Sequence, residues 1–238
     1  SITPLTLPKG NVAAFVDRAY RDGHPLQFLR ELFQNGLEAG ATNISIRPVE
    51  SRVGDARYAV LSVQDNGPVR SASELRNYFS GLGESHNDNV GDPHENFGVG
   101  AKISTIPWNK AGVVIVSRTE DSDVASMIWI CFDEDSQSYG LRRWVTDDDG
   151  LHDVIEAYDG IDDPDPDDLI CVNWLGTLRH KTGTSVILLG DGKSHTAFPR
   201  DILNSESGQD FRNYLCRRYY QLPEKGKFNI WGPPQKQS

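Results

Sequence analysis

The chain has 238 residues, of which 37% are hydrophobic and 24% charged, an ordinary globular composition with enough length for one substantial core or two small ones. Its formal net charge of −10 argues against a surface built as a whole to neutralise phosphates. No run approaches the ~18–20 apolar residues of a membrane span and the first residues lack a signal-peptide pattern, so the expectations are no membrane partner and a cytoplasmic setting.

In chain order, residues 11–21 predict a helix capped by Asn11, with Val12, Phe15, Val16 and Ala19 as its apolar stripe. A second helix runs from Pro25 to about Ala39 and buries Leu29, Leu32, Phe33 and Leu37. Its other side carries Gln27, Glu31, Asn35 and Glu38. Glu31 and Asn35 are four residues apart, so at ~3.6 residues per turn a carboxylate and a carboxamide share one face. Alone, this is also the solvated stripe of any amphipathic helix. Gly36 within the same helix costs ~1 kcal/mol relative to alanine and calls for a packing or ligand-approach reason.

Two strands, Ile44 to Val49 and Tyr58 to Val63, follow, the second ending at the turn Asp65-Asn66-Gly67-Pro68. Residues 72–80 read as a short helix. Residues 81–95, rich in Gly, Asn, Asp, Ser and His, read as a long loop, for which a functional lid is one explanation and simple disorder the other. Asn96-Phe97-Gly98-Val99-Gly100-Ala101-Lys102 then opens a short helix closed at Pro107. Strands are expected at 113–118, 124–132, 139–145, 169–174 and 184–189, and a last helix at 210–221. A helical front half followed by successive strands predicts an α+β layer rather than βαβ units.

The three cysteines, Cys131, Cys171 and Cys216, match no zinc-ligand spacing and are expected as buried free thiols; the six histidines are scattered. Chemistry falls instead to Glu31 and Asn35, which could activate water beside a metal-bound phosphate. Gly98 and Gly100 could let backbone approach an anion, with Lys102 adding charge. Asp65, held at a strand end, could accept a hydrogen bond from an amino group, and Thr184 could support it. Each motif is weak by itself.

Their order, Glu31-x-x-x-Asn35, Asp65-x-Gly67, a loop, Asn96-Phe97-Gly98-Val99-Gly100, then Gly183-Thr184, resembles that of the GHKL ATPase superfamily, which includes DNA gyrase B subunits, ninety-kilodalton heat-shock chaperones, sensor histidine kinases and MutL proteins. The resemblance covers about residues 11–190. It implies the Bergerat fold: a two-layer α/β sandwich in which a mostly antiparallel mixed sheet carries helices on one face and encloses ATP. It further implies Glu31 as the general base, Asn35 as the ligand of Mg²⁺, Asp65 and Gly67 at the adenine amino group with Thr184 beside them, and Asn96, Phe97, Gly98, Val99, Gly100 and Lys102 around the phosphates under a lid at about 80–95.

On this reading residues 1–195 form the ATP-binding domain, and 196–238 a helical extension leading to a following domain, so the chain is expected to be an amino-terminal piece of a larger protein. Two positions depart from the family pattern: Val69 stands where a second glycine belongs, and Glu38 precedes Ala39 where members commonly have Asp. No Lys or Arg for the γ-phosphate is identifiable. The implied function is Mg²⁺-dependent ATP hydrolysis serving a DNA-processing or chaperone-like protein, with ATP-dependent homodimerisation. Histidine-kinase-type phosphotransfer and nucleotide sensing with little catalysis are the alternatives. Residues 200–238 carry seven Lys or Arg against four Asp or Glu, so within this chain a nucleic-acid contact is expected only there.

Overall fold

The computed structural model describes residues 2–5, 12–54, 56–69, 71, 74, 76, 99–147, 149–162, 165, 170–192, 208–217 and 227–230. The helices are α1 (Val12–Arg21), α2 (Gln27–Glu38), α3 (Val99–Thr105) and α4 (Gly208–Cys216). The strands are β1 (Ile2–Pro4), β2 (Asn43–Val53), β3 (Ala56–Asp65), β4 (Val113–Arg118), β5 (Ser126–Asp133), β6 (Ser138–Arg142), β7 (Trp144–Val145), β8 (Leu151–His152), β9 (Ile155–Glu156), β10 (Cys171–Val172), β11 (Gly183–Leu188) and β12 (Lys227–Ile230).

The main sheet runs β1-β6-β5-β4-β11-β3-β2-β10, with β9 on β5 and β12 on β2. Every pairing is antiparallel except that of β12 with β2, which makes the sheet mixed. The class is therefore α+β, a mostly antiparallel mixed sheet layered with helices. β11 lies between β3 and β4, so a late strand separates two earlier ones and sets Thr184 opposite both Asp65 and Ser117.

Strand alternation divides the burial between two faces. Val113 and Ile115 of β4, with Ile44 and Ile46 of β2, face one core, to which the helices add Val16, Phe28, Leu29, Leu32, Phe33, Ala101, Phe211 and Leu215. Val114 and Val116 face a second core, which holds Trp129, Trp144, Ile170 and Trp174. No described helix contributes to that second core, so the described helices occupy one face, and Trp144, Ala157, Ile170, Val172 and Trp174 help cover the other. Trp129 and Trp174 meet there at a centroid distance of 5.3 Å.

α2 is the helix closest to the predicted chemistry. Phe28, fully buried, touches Trp108 at 5.1 Å and Phe211 of α4 at 6.5 Å, which ties three segments together; burying one such side chain contributes ~1.5–3 kcal/mol. The helix ends because Gly40 adopts φ +76°, letting the N–H groups of Gly40 and Ala41 bond back to Leu37 and Gly36, at 2.9 Å each. Asn66 then fixes the turn into β2. Its Oδ1 accepts from the N–H groups of Thr42 (2.9 Å) and Asn43 (2.7 Å), and its amide donates to the Thr42 hydroxyl.

The segment expected as a helical extension joins this same body. α4 places Phe211, Tyr214 and Leu215 in the helix-side core, and β12 pairs with β2. Short pairing strands such as β1, β9 and β12 have little periodicity of their own, which is why the sequence reading missed them. All three thiols are free, but Cys131 and Cys171 are half-buried and Cys216 is exposed, a correction to the expectation of burial. Among the described residues, no helix is long and apolar enough to cross a membrane.

Candidate functional site

α2, α3 and the ends of β3 and β11 converge on the helix side of the sheet. Gly36 makes this approach feasible: a Cβ there would lie 2.9 Å from Ile44 Cδ1 and 3.3 Å from Asp65 Cβ. The glycine costs helix propensity so that α2 can lie against the end of β3. Gly67, just past that strand end, faces α2 in the same way, since its Cβ would lie 2.9 Å from Ala39 Cβ and 3.1 Å from Asp65 Oδ1.

Gly183, at φ +137°, completes the set, because a Cβ there would collide with the Asp65 carbonyl oxygen. Asp65 is thus enclosed by three residues without side chains. Burial pushes its carboxyl up to about 7, against the opposing pull of hydrogen bonds from the N–H groups of Gly67 and Thr184. The Gly67 bond is 2.9 Å long. Of the sequence signals around Asp65, the glycines at 36 and 183 are the ones whose purpose only the packing discloses.

Glu31 is half-buried on α2 and accepts hydrogen bonds from the neighbouring Arg30, through Nε at 3.0 Å and through Nη2. Its other oxygen, Oε2, lies over Gly100 of α3, within the space a Cβ at that position would fill. The missing side chain at 100 therefore accommodates the carboxylate. This is a different use of Gly100 from the expected one of exposing backbone to a phosphate, and it puts the two predicted motifs in direct contact.

One turn beyond Glu31, Asn35 is 7% exposed and its Nδ2 is buried without a hydrogen-bond partner. Such a group costs about 1–3 kcal/mol, so it needs a reason. Asn35 lines a cavity with Leu32, Ala101, Lys102, Thr105 and Thr184, among others. Lys102 is 3% exposed, and burial pushes its amine down to about 8. The cavity volume is about 40 Å³, room for water but far below the ~300–1,000 Å³ of small-molecule pockets. A nucleotide needs that recess widened.

The structure thus brings Glu31, Asn35, Asp65, Gly67, Gly100, Lys102 and Thr184 onto neighbouring ends of four elements. Asn96, Phe97 and Gly98 lie outside the described residues, as do the loop at 81–95 and the side chain of Val99, whose backbone begins α3. Among the described residues no cluster of three or more His, Cys, Asp or Glu could hold a metal ion. Leu32, Thr105 and the sheet residues Val113, Ile115, Ile130 and Val186 complete the cavity wall with Ala101, and no motif announced them as site residues.

No protein-family model matches the chain, and no curated protein does. Among the solved structures similar in part to this chain is one described as the N-terminal domain of a DNA repair protein, which superposes at a TM-score of 0.39 with 12% identity, over 87% of this chain and 46% of its own. The present chain therefore spans less than half the length of that one, and a match this distant transfers neither fold nor activity.

Proposed function

We propose that this chain is a GHKL-type module that binds ATP with Mg²⁺ and hydrolyses it. What supports the reading is the convergence just described: residues from 31 to 184 in sequence, singled out by four separate weak motifs, lie on adjoining elements, and Asn35, Lys102 and Thr184 among them line one recess. Independent surface features have no reason to assemble in this way.

The residues present suit the groups the reading requires. Turning the Asn35 amide end for end leaves its shape unchanged and puts an oxygen at the partnerless position, a suitable ligand for a hard cation. Mg²⁺ is commonly held by one or two protein oxygens together with substrate phosphates, so the lack of an acidic cluster among the described residues fits. When bound, the ion would offset the negative charge of the phosphates. Asp65 would accept a hydrogen bond from the adenine amino group, which favours its ionised form. Glu31, on the same face of α2 as Asn35, would orient water and take its proton. Lys102 would supply positive charge to the phosphates, and Thr184 would hold Asp65 in place through its N–H. Catalysis on this plan rests on positioning and charge stabilisation.

In the full-length protein such a module would dimerise on ATP and drive a larger DNA-processing or chaperone-like machine. A second reading, nucleotide sensing with little turnover, draws on the Arg30–Glu31 pair, which occupies one oxygen of the base. Titration with a non-hydrolysable ATP analogue, with and without Mg²⁺, alongside measured phosphate release, tests both. Saturable Mg²⁺-dependent binding with turnover supports hydrolysis, and binding without turnover supports sensing. Absence of Mg²⁺-dependent binding refutes the proposal.

A further inference from the structure

The opposite face of the sheet carries a second concave site that the nucleotide reading does not use. On β2, Ile44 and Ile46 point into the helix-side core, so alternation turns Asn43, Ser45 and Arg47 the other way. Asn229 of β12 pairs with Ser45, and the segment before β11 adds Arg179 and His180. Together with Pro48 these residues line a cavity of about 470 Å³. A smaller one of about 320 Å³ also uses Arg47 and Arg179.

The polar lining of the larger cavity is made of cations and neutral hydrogen-bonding groups, with no carboxylate, in a chain of net charge −10. Neither Arg47 nor Arg179 takes part in an ion pair among the described residues. Arg47 Nε is buried without a hydrogen-bond partner, while its Nη2 donates to the Thr177 carbonyl at 3.4 Å. Arg118 braces the segment bearing Arg179 by donating to the carbonyls of His180 and Lys181, each at 2.7 Å. Two guanidinium groups are therefore held near each other with donor capacity unspent. Burial, and then repulsion from Arg179, pushes Arg47 down to about 10.

An arrangement that costs desolvation and like-charge repulsion is relieved by an anion placed between the two groups. We propose that this cavity binds a phosphate group, with Arg47 and Arg179 as its paired cationic ligands and Asn43, Ser45 and Asn229 as neutral hydrogen-bonding partners. The planar guanidinium matches phosphate oxygens in a bidentate way that lysine cannot. The phosphate could come from a nucleic-acid backbone or from a small phosphate compound, because the recognising chemistry is the same.

The test is calorimetric titration of the whole chain with inorganic phosphate at low salt, and a parallel polarisation titration with a labelled single-stranded oligonucleotide. Arg47→Gln and Arg179→Gln should each weaken phosphate binding about tenfold or more, the loss expected for a charged hydrogen-bonding partner. Arg18→Gln, exposed on α1 and outside this cavity, should leave it unchanged. Oligonucleotide binding with the same arginine dependence identifies a backbone phosphate as the source; phosphate binding alone identifies a small compound. Arg179 is exposed, so Arg179→Gln decides the matter even if Arg47→Gln does not fold. No saturable phosphate binding by the parent chain, or parent-like binding by Arg179→Gln, overturns the proposal.

Discussion

Replacing Asp65 with Asn tests the enclosure of that carboxyl without requiring any ligand. The folded chain holds the Asp65 proton up to about 7, against 3.8 for the free group. Folding therefore favours the protonated form. The associated stability is fully present below the unfolded value and is lost as pH rises through the folded one. The gap corresponds to about 4 kcal/mol in all, of which roughly 2–3 kcal/mol falls between about pH 5 and pH 8. Asp65→Asn cannot ionise and lacks this dependence. It does sacrifice the acceptor for the Thr184 N–H, but that loss is nearly constant with pH and cancels when the two proteins are compared at both values. Urea unfolding, followed by fluorescence of the five tryptophans, measures each stability. The variant's stability relative to the parent should improve by roughly 2–3 kcal/mol from pH 5 to pH 8. An unchanged difference would refute the claim that Asp65 is held protonated by burial.

Three other outcomes are expected. Glu31→Gln should keep ATP affinity within a few-fold while phosphate release falls by about 10²–10⁴, the usual share of a general base; equal turnover would remove Glu31 from that role. Gly100→Ala should displace the Glu31 carboxylate, because the new methyl occupies its place, and so lower turnover while the thermal midpoint moves by only a few degrees, since the end of a flexible side chain can yield. Asn35→Leu should fold with a stability change under about 1.5 kcal/mol, because a partnerless buried amide end is replaced by an apolar group of similar volume, yet nucleotide binding should no longer respond to Mg²⁺.

Much of the architecture could be read from the sequence wherever one segment carries its own pattern. α2 was expected at Pro25 to Ala39 and spans Gln27–Glu38, and β4 was expected and found at Val113–Arg118, where β-branched residues fill both faces. What escaped the reading depends on partners far along the chain. β12 exists because β2 offers it an edge, and the second core forms because Trp129, Trp144 and Trp174 arrive from separate segments. At the site, Glu31 and Asn35 were legible through helical spacing and Asp65 through its turn. The contact of Glu31 with Gly100 was not, since nothing local to either residue encodes it. Arg47 and Arg179 were invisible for the same reason: each is an ordinary charged residue until the sheet brings them together.

The three glycines around Asp65 also define how this chain can vary. Gly183 is the most constrained, because its φ is +137° and a Cβ there would meet the backbone of Asp65 and Asn66, whereas at 36 and 67 the nearest atoms are side-chain carbons of Ile44 and Ala39, which a smaller partner could relieve. Together with Asp65 they form a four-point signature gathered at the adjoining ends of α2, β3 and β11, in which the spacings can change with loop length. A saturation-mutagenesis survey scored only for folding should therefore show 183 as an isolated intolerant column, and 36 and 67 as positions rescued by trimming Ile44 and Ala39. Distant relatives too diverged for overall identity to identify can be sought by that signature instead.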